Sequence, residues 1–511
     1  MHRTACLCAV ALSLLPLRPA QAAPEWVERL FPHTGAPDRM AHRLRRVDAV
    51  EIDVAGRKGA MVTVELRYPE LDGRDTTARA RIFLPPALNA SPARRAPLVH
   101  NAGYEIDAGG AAGLLARGFV VSTPHAHPLN PLGRGVNLDR AILHAARALP
   151  FVDPLRVSIQ GGSAGGWMTL MLAADAFPLV WAMPDVPPIH WGYNAAYIGE
   201  QQRLAAAPEG TTTPRMPVLL AVGGIAEQSR ALYGMPFEHP AYLAVSPLAH
   251  LDTITAPTLV TFSTADMLVP IDQVSPRYVR KPDRSKFPAG FTTAMTNRFP
   301  GVRGRRALLE ALRPGSFEVA VLPAPANPVL LPFGAPPSGP PAKAELPFRP
   351  GRTWNIVVID EGPVEPAVGH FKYHWALDRE PFRAWAEANG VQADQLTQAK
   401  LERLMKRVLG EAWRPFRFRP GGKNPEVAAN VLDWPEAERQ DVLLGLRAFA
   451  EDDLRAAWLA HLYDRLPRRL RAFGPRLGGE APAGQRDWTS RVSDGTPAAV
   501  RRALEAALRT P

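Results

Sequence analysis

One seven-residue stretch constrains this chain more than any other: Gln160-Gly161-Gly162-Ser163-Ala164-Gly165-Gly166. Before it runs Leu155-Arg156-Val157-Ser158-Ile159, a short segment rich in β-formers. After it runs Trp167-Met168-Thr169-Leu170-Met171-Leu172, which reads as a helix. A strand that turns into a helix across a single serine brings the two elements very close together, so small residues are needed on both flanks. Gly161 and Gly165 supply that room. The serine at the apex is expected in a strained backbone conformation that presents its hydroxyl.

The surrounding pattern supports this reading. Val50 to Val54, Met61 to Tyr68 and Arg79 to Leu84 read as early strands, the second alternating apolar and polar over most of its length. Pro97 to Gly103 and Gly118 to Pro124 are two more, separated by the small-residue helix segment Ala108 to Arg117. Leu138, Ile142, Ala145 and Leu149 repeat at helical spacing before the serine strand. Short strands follow at Val180 to Met183 and Ala256 to Phe262, and Thr353 to Ile359 reads as the last. Strand and helix alternate, which predicts an α/β class with a mostly parallel sheet and helices on both faces. A serine elbow in that setting predicts an α/β-hydrolase with Ser163 as nucleophile.

A serine hydroxyl is a weak nucleophile at neutral pH and needs a histidine base oriented by a carboxylate. In this fold the chain order is serine, acid, histidine, with the last two in loops after late strands. Asp266, in Thr264-Ala265-Asp266-Met267 just beyond the strand ending at Phe262, is the candidate acid. His370, in Val368-Gly369-His370-Phe371, is the candidate base, with His374 in reserve; His461 lies in a helical stretch far from any strand end. Ala164 N–H should supply one oxyanion-hole donor. The second should come from the turn His100-Asn101-Ala102-Gly103-Tyr104, through a backbone N–H near Gly103 and Tyr104 or through the Tyr104 hydroxyl.

Other chemistries find less support. His125 and His127 form a close pair with no third metal ligand apparent in sequence, so no metal is expected. There is no Walker loop or dinucleotide fingerprint, and no cofactor is expected. The net charge of +11 and pI of about 9.9 raise nucleic acid as a partner. Acidic residues are interspersed throughout, and the densest basic cluster, Arg468-Arg469-Leu470-Arg471, lies in a helical pattern and reads as a solvated face.

Residues 1–22 read as a signal peptide, with an apolar run from Ala5 to Leu17 too short to span a bilayer and the small-x-small pattern Ala20-Gln21-Ala22. Both cysteines, Cys6 and Cys8, fall within it, so the mature chain has no disulfide. An exported chain without cysteine fits a bacterial periplasm or exterior. Residues 23–375 are expected to form the catalytic domain, with an irregular cap at 190–250 and an insertion at 275–350 whose second half is Pro-rich. Residues 376–511 read as a helical C-terminal extension, and no stretch of the mature chain is apolar enough to span a membrane.

Val152-Asp153-Pro154 through Gly166 closely resembles the serine elbow of the prolyl oligopeptidase family. Tyr233-Gly234 through Ser246-Pro247, then Ala256-Pro257-Thr258-Leu259, resembles its approach to the acid strand, and Thr264-Ala265-Asp266 with Val269-Pro270 its acid loop. The resemblance covers residues 95–275 and implies a triad of Ser163, Asp266 and His370. The family's β-propeller has no room between Ala23 and Pro97. The long insertion between acid and histidine and the helical extension are further departures. The resemblance implies a serine peptidase acting on small peptides. The absent propeller points instead to a carboxylesterase, and a third reading is a hydrolase-fold protein that only binds.

Overall fold

The computed structural model describes residues 23–31, 43–69, 75–92, 94–125, 134–147, 149–174, 179–205, 242, 246–266, 268–280, 307–324, 343–361, 370 and 377–389. Helix α1 (Glu25–Leu30) precedes a hairpin of β1 (Arg43–Val54) and β2 (Arg57–Pro69). The two residues between them, Ala55 and Gly56, both take positive φ, 52° and 75°. A two-residue turn of that hand matches the natural twist of antiparallel strands. β3 (Asp75–Leu84) adds to β2, and α2 (Pro86–Ala90) leads into the alternating part of the chain.

That part runs β4 (Ala96–Asn101), α3 (Ala108–Ala116), β5 (Val120–His125), α4 (Arg134–Arg147), β6 (Val152–Gly162), α5 (Ala164–Ala173), β7 (Ala182–Asp185), α6 (Trp191–Ala205) and β8 (Thr258–Ser263). A short helix α7 (Leu308–Ala311) precedes β9 (Phe317–Pro323). β10 (Ala344–Glu345), β11 (Trp354–Asp360), β12 (Leu377–Asp378) and α8 (Glu380–Asn389) complete the described elements. The main sheet has the order β1-β2-β3-β5-β4-β6-β7-β8-β11-β9. It is antiparallel as far as the β3–β5 pair and parallel from β5 to β9.

The pleat divides the core in two. Along β4, β5 and β11, Leu98, Val120, Ile356 and Val358 pack on one face, and Val99, Val121, Val357 and Ile359 on the other. Such strands read as continuous apolar runs because both faces are covered. α4, α5 and α6 pack on the first face; α3 and α8 pack on the second. α5 is buried along its whole length, as its apolar sequence requires.

The insertion differs from its sequence reading in one respect. It contains β9, which pairs with β11 over Phe317–Pro323 and forms the edge of the main sheet; β11 is the last strand of that sheet in chain order, and β12 follows it in a separate pair with β10. Phe317-Glu318-Val319-Ala320-Val321-Leu322 carries the β-forming residues for this, and the proline density nearby masked it. The prolines at 325–342, and the apolar residues Val329, Leu330, Leu331 and Phe333 among them, lie outside the described residues. So do the signal segment, most of the cap and the chain beyond Asn389.

Candidate active site

Parallel strands end together, so the loops following β4, β6, β8 and β11 gather at one edge of the sheet. Tyr104, Ser163, Asp266 and His370 lie in those four loops in turn. Ser163 sits between β6 and α5 with φ 53° and ψ −121°, a region that side chains rarely occupy. Its N–H donates to the Asp185 carbonyl at the end of β7 (2.8 Å), and its carbonyl accepts from Trp167 N–H (2.9 Å). The glycines allow the elbow. A Cβ on Gly161 would lie 2.6 Å from the Gly165 carbonyl oxygen, and one on Gly165 would strike the Ala102 carbonyl. This is the α/β-hydrolase fold.

In the loops after β8 and β11, Asp266 is 2% exposed and His370 5%. His370 Nδ1 lies 2.8 Å from Asp266 Oδ2 and 3.1 Å from Oδ1. A carboxylate only accepts, so Nδ1 is the donor of this pair. Asp266 Oδ1 also accepts from the N–H groups of Leu268 (2.8 Å) and Val269 (3.0 Å), which fixes the carboxylate's orientation. Thr264 joins the two late strands: its N–H donates to the Ile359 carbonyl (3.0 Å), and its Oγ1 accepts from Glu361 N–H (3.0 Å). His374, the reserve base, and His461 lie outside the described residues, as does His127 of the His125–His127 pair.

In the turn after β4 the backbone donors are already engaged. Ala102 N–H donates to the Gln160 carbonyl (2.8 Å) and Tyr104 N–H to the Ala102 carbonyl (3.0 Å). Gly103 N–H donates to Asp139 Oδ2 (2.9 Å). The backbone of this turn therefore has no donor to offer at those three positions. The Tyr104 hydroxyl instead hydrogen-bonds with the Ser163 hydroxyl and accepts from Ala164 N–H. Burial pushes the Tyr104 phenol above its usual range, outweighing the opposite pull of those two hydrogen bonds. The hydroxyl thus keeps its proton and can donate.

Sequence reasoning did not find Asp139, on α4, or Asp185, at the end of β7. Asp185 is paired with Arg379 just before α8 (3.1 Å) and bonded by the Thr261 hydroxyl. Both aspartates are almost fully buried, at 2% and 6% exposure. Neither stands in a motif; Asp139 follows Leu138 in an amphipathic pattern where a polar residue ordinarily faces water. Among the described residues no group of three His, Cys, Asp or Glu could hold a metal ion, and no helix is long and apolar enough to cross a membrane.

No protein-family model matches the chain, and no curated protein matches it. Solved structures similar to it include dipeptidyl peptidase 4 of Porphyromonas gingivalis, at 16% identity and a TM-score of 0.27 over 46% of this chain and 42% of that one. The chain thus spans less than half the length of that peptidase. Acetyl xylan esterase 1 of Thermoanaerobacterium sp. is 16% identical with a TM-score of 0.30, over 50% of this chain and 83% of that one. Thermogutta terrifontis esterase 2 is 16% identical with a TM-score of 0.26, over 39% and 74%. Strand order and the elbow, rather than these values, establish the fold.

Proposed function

We propose that the protein is a serine hydrolase that cleaves a peptide or ester bond through an acyl-enzyme intermediate. Ser163 Oγ attacks the carbonyl carbon while His370 Nε2 takes its proton. Asp266 holds the imidazole with Nδ1–H toward the carboxylate, so that Nε2 is the nitrogen that takes the serine proton. The tetrahedral oxyanion displaces the Tyr104 oxygen as acceptor of Ala164 N–H and accepts from the Tyr104 hydroxyl as well. The C–N or C–O bond then breaks, His370 returns the proton to the leaving group, and water repeats the sequence on the Ser163 ester. The observation that carries the reading is the Tyr104 hydroxyl meeting both the Ser163 hydroxyl and the Ala164 N–H at a strained elbow. The buried 2.8 Å His370–Asp266 pair in loops at the same sheet edge supports it.

The carboxylesterase reading is favoured by a separate observation. Residues 43–84 supply three strands of the catalytic sheet, not a propeller over its mouth. The leader-like first 22 residues support an exported enzyme. A fluorophosphonate probe tests the reaction class: wild type should label and Ser163→Ala should not, with kcat falling about a millionfold. Wild type that fails to label overturns the proposal. A panel of p-nitrophenyl esters and proline- or alanine-type peptide anilides separates esterase from peptidase.

A further inference from the structure

Behind the Tyr104 turn lies a buried polar cluster that the triad does not use. Asp139 reaches out of α4 with both carboxylate oxygens engaged. Oδ1 lies 3.0 Å from His100 Nε2, and Oδ2 accepts from Gly103 N–H at 2.9 Å. His100 Nδ1 lies 3.0 Å from Ser122 Oγ, its register partner across the β4–β5 pair. His100 and Ser122 have no exposed surface. Burying a carboxylate is costly unless its oxygens are matched by donors. Here the matching donors include the backbone of the one residue between Ala102 and Tyr104.

Gly103 has φ +80°, and a Cβ on it would lie 2.6 Å from the Gly165 Cα, so this turn is wedged against the elbow helix. Tyr104 is fixed from the other side as well. Its carbonyl accepts from Asn101 Nδ2 (2.8 Å) and from Thr123 Oγ1 (2.8 Å). Side chains from α4, β4 and β5 thus converge on the backbone of Gly103 and Tyr104. An oxyanion donor is effective only when it is already aimed, because reorganisation during the reaction would consume its benefit. Nothing in the tyrosine itself aims it, since the ring swings on whatever backbone bears it.

We propose that Asp139, through Gly103 N–H and His100, and Thr123, through the Tyr104 carbonyl, are positioning residues that aim the Tyr104 hydroxyl at the oxyanion. The proposal rests on the functional reading above and extends it to residues that touch neither substrate nor triad. Asp139→Ala removes the acceptor for Gly103 N–H. Asp139→Asn keeps one acceptor and the shape of the side chain, so it should recover part of the loss. Thr123→Val keeps the volume and removes only the hydroxyl that holds the Tyr104 carbonyl.

The experiment is a pair of double-mutant cycles on the full-length protein, each crossing Asp139→Ala or Thr123→Val with Tyr104→Phe. A p-nitrophenyl ester serves as substrate, and fluorophosphonate labelling reports Ser163. In the Tyr104 background, Asp139→Ala should lower kcat about ten- to a hundredfold with KM within about twofold, and Asp139→Asn should fall between it and wild type. In the Tyr104→Phe background the same substitutions should cost less than about threefold, because the group they aim is gone. Equal losses in both backgrounds overturn the proposal, as does a loss confined to KM or to thermal stability. Should Asp139→Ala fail to fold, the Thr123→Val cycle decides by the same criterion. A Tyr104→Phe enzyme with wild-type kcat removes the oxyanion role itself. Losses that multiply while Tyr104→Phe is slow remove only the positioning role.

Discussion

Around Ser163, backbone is pressed on backbone: Gly161, Gly165 and the Ala102 carbonyl leave no space for a methyl group, and the Gly103 turn closes on the same helix. Around Asp266 and His370, position comes from side chains. One carboxylate orients both its own loop, through Leu268 and Val269 N–H, and the imidazole. The mouth beyond is tied in the same way, with Gln273 accepting from Ile189 and His190 N–H and donating to Asn194. The contrast suits the chemistry proposed. A nucleophile and its oxyanion donors must not move, so they are built on elements that cannot. A base that exchanges a proton twice needs a correct tautomer more than a rigid backbone.

Five substitutions can break or sharpen that contrast. The largest effect is expected from His370→Ala, which should lower kcat about a millionfold, as Ser163→Ala does, because the two act as a unit. His374→Ala should leave kcat near wild type, and the reverse pattern would move the base to the neighbouring histidine. Asp266→Asn comes next, at about ten-thousandfold in kcat, because the amide favours the wrong imidazole tautomer. Its melting temperature should stay close to wild type, since the side chain keeps its shape and one acceptor for the loop.

Tyr104→Phe should cost about a hundred- to a thousandfold in kcat with little change in KM. Because burial raises this phenol, it holds its proton where an ordinary tyrosine ionises. Phenolate absorbance during alkaline titration should therefore lose a late-ionising tyrosine in the variant, and an early loss would contradict the assignment. The smallest effect belongs to the rigid half. Gly165→Ala should destabilise by about 1–3 kcal/mol through overpacking against the Ala102 carbonyl, read as a lowered denaturant midpoint. If Asp266→Asn shifted that midpoint more than Gly165→Ala, the two halves would not differ as described.

The elbow was legible because its constraint is local. The glycines, the serine and the change from strand to helix all lie within a few residues, and the strands on either side carry continuous apolar runs. The placement of Asp266 beside His370 and of Tyr104 beside Ser163 was legible from chain order, since Asp266 and Tyr104 each follow a recognisable strand. What sequence could not rank was hydroxyl against backbone N–H in the oxyanion turn. That choice depends on which donors are already spent, and Gly103 N–H is spent on Asp139, 36 positions away. Asp139, Asp185 and Arg379 escaped for the same reason. Each is polar in a sequence setting that ordinarily faces water, and only the tertiary partner makes it a buried group. β9 escaped because Phe317 to Leu322, itself without proline, runs straight into the Pro-rich half of the insertion that starts at Pro323.

The placement of β11 has a consequence for timing. β11 lies between β8 and β9, and its only sheet neighbours are strands made earlier in the chain. A ribosome therefore completes the elbow, the oxyanion tyrosine and the acid well before the strand that leads to His370. On the proposed triad, a nascent chain halted before β11 carries an armed-looking serine with no base to deprotonate it. On that reading, the proposed chemistry waits until the last gap in the sheet is filled, and the order of strands acts as a clock on it.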